Sequence, residues 1–309
     1  MKAVGISTHN TSGVYPASDR SAGARLPGFI AVGPPRTGTT WLYRALNGYV
    51  GLPRGTKETD FFSINYSKGL EWYLEFFRDC APDLPIGEIS PNYFADDAAA
   101  DRISAQIPGC RIVCTLRDPV DRLYSFYRLM RHNGWTGKTF EDVVESYPPA
   151  VDSNRYAYHI RRWWKLFGRE RVLVALYDDL EDDSQRFLNA ICDFIGIRSI
   201  RLDGSPLMNR HVNSVTRGPR FVSLAHHSWR LRQWLDARGA ETTITLLRKI
   251  GLWRFSFRGG GEFGPLDPEV DRRLRERFRP EVEALEALIG RELSAWTRPH
   301  PAAHVANGD

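Results

Sequence analysis

The sequence predicts an α/β fold, in which a central parallel sheet is flanked by helices and extra helices follow towards the C-terminus. Three apolar runs of strand length support this fold, at residues 29–32, 111–116 and 171–177. Each run neighbours a stretch whose apolar residues recur at helical spacing. Continuous apolar strands that alternate with helices are typical of a parallel sheet covered on both faces.

The elements follow one another in a regular order. The first run, Phe29–Val32, ends in a Gly/Pro turn before the apolar residues of 41–46, which predicts a strand, a tight loop and a helix. The second run precedes a helical stretch whose apolar positions are Leu123, Phe126, Tyr127 and Met130. The third run follows a tryptophan-rich helix at 161–167 and precedes an amphipathic helix at 184–195.

The chain is expected to form one domain with a tail at each end. The predicted parts are a flexible tail at 1–27, a single domain at 28–297 and a second tail at 298–309. Within the domain, a core at 28–220 precedes a largely helical region at 221–297. We expect residues 199–220 to be loop-like, residues 259–261 to form a glycine-rich break, and residues 269–290 to form a last, highly charged helix.

Composition restricts the classes of partner. The formal net charge is +5 over 309 residues, and the basic residues are spread along the chain, so nucleic acid is not an expected partner. The four cysteines, at positions 80, 110, 114 and 192, form no CxxC pair, which indicates reduced thiols in a cytoplasmic protein. The N-terminus has no apolar signal core, and no apolar run reaches the ~18 residues of a membrane span.

The loop after the first strand has the pattern of an anion site. It reads Gly33-Pro34-Pro35-Arg36-Thr37-Gly38-Thr39-Thr40, with the G-x-x-x-x-G spacing of a P-loop, so the sheet is predicted to be P-loop-like. A nucleotide kinase would carry Lys and Ser/Thr directly after the second glycine, where this chain has two threonines. The cation lies inside the loop instead, at Arg36. Hydroxyls, amides and one guanidinium suit a phosphate that bears a sulfuryl group, and an ordinary turn without a ligand is the alternative.

With this loop and three later segments in view, the chain resembles the sulfotransferases that use 3′-phosphoadenosine 5′-phosphosulfate. The resemblance extends from about residue 28 to residue 218 and is weaker beyond it. It implies that the 5′-phosphosulfate is bound by Arg36, Thr37, Gly38, Thr39, Thr40 and Trp41. The family usually has a lysine where this chain has Arg36, and an arginine would help the leaving group electrostatically.

Three more positions are implied to bind the donor. Arg117 and Ser125 match the arginine and serine, eight residues apart, that bind the 3′-phosphate in the family. The resemblance also implies that Tyr177 approaches the adenine. The alternatives from the residues themselves are that Arg117 pairs with Asp118 and that Tyr177 is only an aromatic residue at a strand end.

A further donor contact is implied at Arg217 and Gly218. They fall where the family has a basic-Gly loop that closes over the 3′-phosphate, although the usual flanking residues are absent. A solvated arginine is the alternative at this position.

The expected catalytic base is Glu58. The segments at 57–62, 66–73 and 87–94 are similar to those of heparan sulfate N- and 3-O-sulfotransferases, in which a glutamate before a Phe-Phe pair is the base. No histidine occurs between residues 34 and 131 to take that role. An ion pair with Lys57 at the surface is the alternative for Glu58. His132 and His211 are interpreted as surface or core residues.

The resemblance implies transfer of a sulfuryl group, without a metal, to a hydroxyl or amine of a glycan, a glycolipid or a small natural product. The region at 221–297, with Trp229, Trp234 and Trp253, is expected to shape the acceptor pocket. Two alternatives remain: an ATP-dependent P-loop kinase or NTPase, and a non-catalytic nucleotide-binding relative. The sequence indicates neither the acceptor nor the oligomeric state.

Overall fold

A parallel sheet forms the centre of the molecule, as predicted, and it has a fourth strand besides the three predicted from apolar runs. The computed structural model describes residues 25–208, 217–236, 247 and 259–299. The strands of the sheet are β1 (Phe29–Val32), β2 (Gly87–Ile89), β3 (Arg111–Leu116) and β4 (Val172–Leu176). Their spatial order is β2-β1-β3-β4.

The register of the sheet brings the carboxyl ends of the strands to one edge. Ala31 lies opposite Ile89 on one side and Val113 on the other. Strand β3 continues beside β4, and both end at the pair Leu116 and Leu176. In open parallel sheets, ligands bind at this carboxyl edge, so the loops that leave it are the candidates for the site.

The described helices surround this sheet. They are α1 (Thr39–Leu46), α2 (Leu70–Glu75), α3 (Asp97–Gln106), α4 (Pro119–His132), α5 (Phe140–Ser146), α6 (Pro148–Asp152), α7 (Tyr156–Phe167), α8 (Tyr177–Asp182), α9 (Ser184–Ile195), α10 (Val222–Asp236) and α11 (Pro268–Ile289). Short 3₁₀ turns occur at Tyr66–Lys68, Pro91–Tyr93, Arg169–Arg171, Pro206–Met208 and Ser294–Thr297. None of the described helices has the length and apolar character that a bilayer span requires.

Alternate residues of β1 point into two separate cores. Ile30 and Val32 pack with apolar residues of α3, α7 and α11, whereas Phe29 and Ala31 pack with those of α1 and α9. This two-fold alternation is the geometry of a strand, and it explains why the strand is apolar along its whole length. Cys110 and Cys114 share the first core, and none of the four cysteines forms a disulfide.

The expectations for residues 199–220 and 259–261 were wrong in part. A second, antiparallel pair of strands forms there, β5 (Arg217–Pro219) and β6 (Gly259–Glu262). A side chain on Gly260 would begin only 2.4 Å from the carbonyl oxygen of Gly218, so glycine permits this close pairing. Glycine has a low strand propensity, and the sequence pattern therefore indicated a break.

Candidate functional site

The loop between β1 and α1 is fixed by contacts with β3. Gly33 has a φ of 149°, and a Cβ at that position would lie 2.3 Å from Oγ1 of Thr115, so only glycine fits. The buried hydroxyl of Thr37 donates to the carbonyl of Pro34 at 2.9 Å and lies 2.7 Å from Oγ1 of Thr115. The Thr37 side chain thus stabilises the loop by contacts within the protein.

Helix α1 begins directly after this loop. Gly38 is its N-cap, with a φ of 94° and no side-chain capping bond. The amides of the first turn, which include those of Thr39 and Thr40, therefore have no partner within the helix and mark its positive end. The Trp41 side chain points away into the core, where its Nε1 donates to the carbonyl of Leu207 at 2.9 Å.

Arg36 joins the loop to helix α4. Its Nε donates to Oγ of Ser125 at 2.9 Å, across 89 positions of the sequence. Its φ of 81° is unusual for a residue other than glycine and is typical of a loop under functional constraint. Burial of the guanidinium, and then the nearby positive charges of Arg117 and Arg128, lower the pKa of Arg36 to about 10.

Arg117 and Tyr177 complete the cluster at the ends of β3 and β4. The guanidinium carbon of Arg117 lies 4.4 Å from the centre of the Tyr177 ring, which is a cation–π distance. Burial raises the pKa of Tyr177. Asp118 is engaged elsewhere: its carboxylate caps α4 and pairs with Arg275, in place of the Arg117 pair that was the alternative. Arg36, Arg117, Ser125 and Tyr177 therefore form one group, although they come from four different segments.

Arg128 belongs to the same region, and the sequence reasoning missed it. It follows Ser125 by three residues on α4, so the two side chains share a helix face. Its guanidinium carbon lies 5.5 Å from the ring centre of Phe263, just beyond β6. The i, i+3 spacing from Ser125 is the signal that could have found it.

Glu58 lies in a loop held at the same edge of the sheet. Its Oε1 lies 2.7 Å from Nζ of Lys57, and both side chains are partly exposed. The described contacts of Glu58 are with Lys57 and Thr56, so the structure does not join it directly to the arginine cluster. The next residue, Thr59, donates to the carboxylate of Glu88 at 2.6 Å, which fixes the loop to β2.

Glu88 is the centre of this anchor. It is fully buried and accepts hydrogen bonds from four hydroxyls, those of Thr59, Tyr73, Ser90 and Tyr93. Burial raises its pKa, and the four hydroxyl contacts oppose that rise. A glutamate inside an otherwise apolar strand is the sequence signal for such an anchor.

The strand pair β5–β6 packs on α4. Arg217 is exposed and pairs with Glu262 at 3.0 Å, while its carbonyl lies 3.0 Å from Nδ1 of His132. Gly218 contacts the ring of Phe263: a Cβ there would lie 3.4 Å from it. The Arg217 guanidinium thus serves the strand pair in this structure. His132 makes a backbone contact, and His211 lies outside the described residues.

Known proteins share both the sequence and the fold of this region. The family model for the sulfotransferase domain matches residues 26–217. The mouse bifunctional heparan sulfate N-deacetylase/N-sulfotransferase 4 is 31% identical over 196 residues, which cover 56% of this chain and 22% of that relative. The mouse N-deacetylase/N-sulfotransferase 1 is 32% identical over 199 residues, 57% of this chain and 22% of the relative. The match thus spans about a fifth of the length of these curated relatives.

A solved structure extends the likeness beyond the matched segment. The crystal structure of a sulfotransferase from Alicyclobacillus acidocaldarius superposes with a TM-score of 0.62 at 22% identity. It covers 89% of this chain and 100% of that chain. The fold is therefore shared over most of the chain.

Proposed function

The chain belongs to the sulfotransferase family, and on this premise we propose that it transfers a sulfuryl group from 3′-phosphoadenosine 5′-phosphosulfate to a hydroxyl or amine of an acceptor. The observation that supports this most strongly is the hydrogen bond from Arg36 to Ser125 beside Arg117 and Tyr177. It joins the two segments that would hold the two ends of such a donor.

The donor carries two separate anionic groups, and the site offers two sets of cations and donors. Arg36 and the amides at the start of α1 would hold the 5′-phosphosulfate. Arg117 and Ser125 would hold the 3′-phosphate, with Arg128 adding positive charge beyond them. Besides its burial, the positive charges of Arg117 and Arg128 lower the pKa of Arg36, so the three guanidiniums repel one another. A bound anion would offset this repulsion, which supports the assignment.

The roles of the chain's own groups in the reaction follow from their chemistry. Glu58 would take the proton from the acceptor while the acceptor oxygen or nitrogen bonds to sulfur. Arg36 would stabilise the charge that develops on the oxygen as its bond to sulfur breaks. The donor supplies the sulfuryl group, and Thr59 keeps the loop of Glu58 attached to Glu88.

The acceptor class is part of the proposal. The names of the curated relatives state action on heparan sulfate, which supports a glycan acceptor for this chain. A glycolipid or a small natural product remains an alternative, since the net charge of +5 is modest for a groove that binds a long polyanion. We also propose a cytoplasmic protein with one domain at 28–297, which is supported by the free cysteines and by the packing of α11 against the sheet.

The substitution Glu58→Gln tests the proposed base. We expect turnover to fall by roughly 10²–10⁴-fold while the affinity for 3′-phosphoadenosine 5′-phosphate stays within about twofold. Glu71→Gln is the matched control, because Glu71 is an exposed glutamate on α2. Unchanged turnover in Glu58→Gln would rule out this base.

A further inference from the structure

A buried charge cluster lies behind the proposed donor site. Arg275, on α11, is 1% exposed, and its guanidinium contacts three carboxylates. The distances are 2.6 Å to Asp118, 2.9 Å to Asp271 and 3.4 Å to Asp121. The same guanidinium donates to the carbonyl of Trp296 at 2.8 Å. Removal of one partner from such a buried cluster leaves the other charges without compensation.

Asp118 connects this cluster to the donor site. Its Oδ2 pairs with Arg275, while its Oδ1 accepts from the amides of Val120 and Asp121 at the start of α4. Asp118 directly follows Arg117, and α4 carries Ser125. One carboxylate therefore links the C-terminal helix to both residues that are proposed to hold the 3′-phosphate.

Trp296 makes a second connection of the same kind. Its Nε1 donates to Oδ2 of Asp178 at 2.7 Å, and Asp178 directly follows Tyr177. Since Arg117 and Tyr177 stack on each other, the two C-terminal residues support neighbouring parts of one surface. Both Arg275 and Trp296 lie outside the residues that the family model matches.

We propose that Arg275 and Trp296, here called the C-terminal clamp, are positioning residues for donor binding. Through Asp118 and Asp178 they fix the segments that follow β3 and β4. Arg117, Ser125 and Tyr177 therefore have their binding positions already in the protein without donor. Preorganisation of this kind raises affinity, because less conformational freedom is lost on binding. The inference rests on the proposed function for the identity of the ligand.

The main test compares Arg275→Met with two matched variants. Arg272→Met removes an arginine of the same helix whose partners, Glu269 and Glu276, are exposed. Phe278→Ala removes a buried apolar side chain of the same helix while every residue of the charge cluster is kept, and so reports on lost stability. The probe is 3′-phosphoadenosine 5′-phosphate, measured by titration calorimetry at a temperature where near-UV circular dichroism shows each variant to be folded.

We expect Arg275→Met to raise the dissociation constant by about tenfold or more, with kcat at saturating donor within about threefold of wild type. Arg272→Met and Phe278→Ala should stay within about twofold of the wild-type affinity. A dissociation constant for Arg275→Met no higher than that of Phe278→Ala would overturn the proposal. If the wild type itself does not bind the probe, the proposed function fails instead.

Two milder variants keep the test decisive if Arg275→Met does not fold. Arg275→Lys retains the charge but cannot reach all the acceptors of the planar guanidinium, so its affinity should be reduced. Trp296→Phe keeps an aromatic ring but loses the indole N–H that donates to Asp178, and its affinity should fall by about two- to tenfold. Wild-type affinity in both variants would contradict the C-terminal clamp.

Discussion

Arg117 offers the most quantitative test of the proposed donor site. In the wild type, the guanidinium carbon of Arg117 lies 4.4 Å from the centre of the Tyr177 ring. The substitution Arg117→Met removes the guanidinium but keeps an unbranched side chain that can still cover this ring. The carbonyl of Arg117, which accepts from the hydroxyl of Tyr156 at 2.8 Å, is unaffected. The variant should therefore fold and lose only the cation.

The size of the effect follows from two opposing contributions. A hydrogen bond to a charged group is worth about 1.5–3 kcal/mol, which corresponds to a change in affinity of roughly 10–150-fold. Arg117 also repels Arg36, as the lowered pKa of Arg36 indicates, so its loss relieves part of the strain between like charges. We therefore expect the dissociation constant of 3′-phosphoadenosine 5′-phosphate to rise by about 10–100-fold.

The assay is titration calorimetry at fixed salt, with Arg111→Met as control. Arg111 begins the same strand at its amino end, where its side chain is exposed and near Gly196. This control should bind with wild-type affinity. An equal dissociation constant in wild type and Arg117→Met would refute the placement of the 3′-phosphate.

Three more substitutions test other parts of the account. Ser125→Ala removes the hydroxyl that accepts the hydrogen bond from Arg36. It should weaken binding of 3′-phosphoadenosine 5′-phosphate, measured by calorimetry, by about 2–12-fold, which is the value of one hydrogen bond. Wild-type affinity would contradict this. Gly33→Ala places a Cβ 2.3 Å from Oγ1 of Thr115 and should cost more than about 2 kcal/mol in urea unfolding, so a neutral result would mean a different loop conformation. Burial raises the pKa of Asp118 from 3.8 to about 6. Because the folded protein holds this proton more tightly than the unfolded chain, protonation of Asp118 adds to the free energy of unfolding. This contribution is complete below pH 3.8 and is lost as the pH rises through 6. The stability of wild type relative to Asp118→Asn should therefore decrease between pH 4 and pH 7 in urea unfolding, and a constant difference would argue against that pKa.

The sequence predicted the parts of the site that depend on local pattern and on parallel topology. An apolar strand, a glycine turn and a helix are read from neighbouring residues, and the structure has them as β1, the loop and α1. Arg117 and Tyr177 follow other strands of the same sheet, and the carboxyl ends of parallel strands meet at one edge. Their convergence with Arg36 was therefore predictable from the sequence.

The remaining features depend on tertiary contacts that leave no pattern in the sequence. Arg275 lies in a run of charged residues on α11, where only the three-dimensional structure distinguishes its buried side chain from exposed neighbours such as Arg272. The pairing of β5 with β6 relies on glycines, which pattern reasoning interprets as a break. The indole of Trp41 packs in the core and donates to the carbonyl of Leu207, a contact across 166 positions of the sequence.

The most direct test of sulfuryl transfer is mass spectrometry of acceptors incubated with wild-type protein and 3′-phosphoadenosine 5′-phosphosulfate. The panel should contain glycans, glycolipids and small hydroxyl or amine compounds, with Glu58→Gln in parallel. The account predicts that at least one acceptor gains a sulfuryl group with wild type and that this gain is largely lost with Glu58→Gln. Donor binding without transfer to any acceptor, or Mg²⁺-dependent ATP turnover in its place, would contradict it.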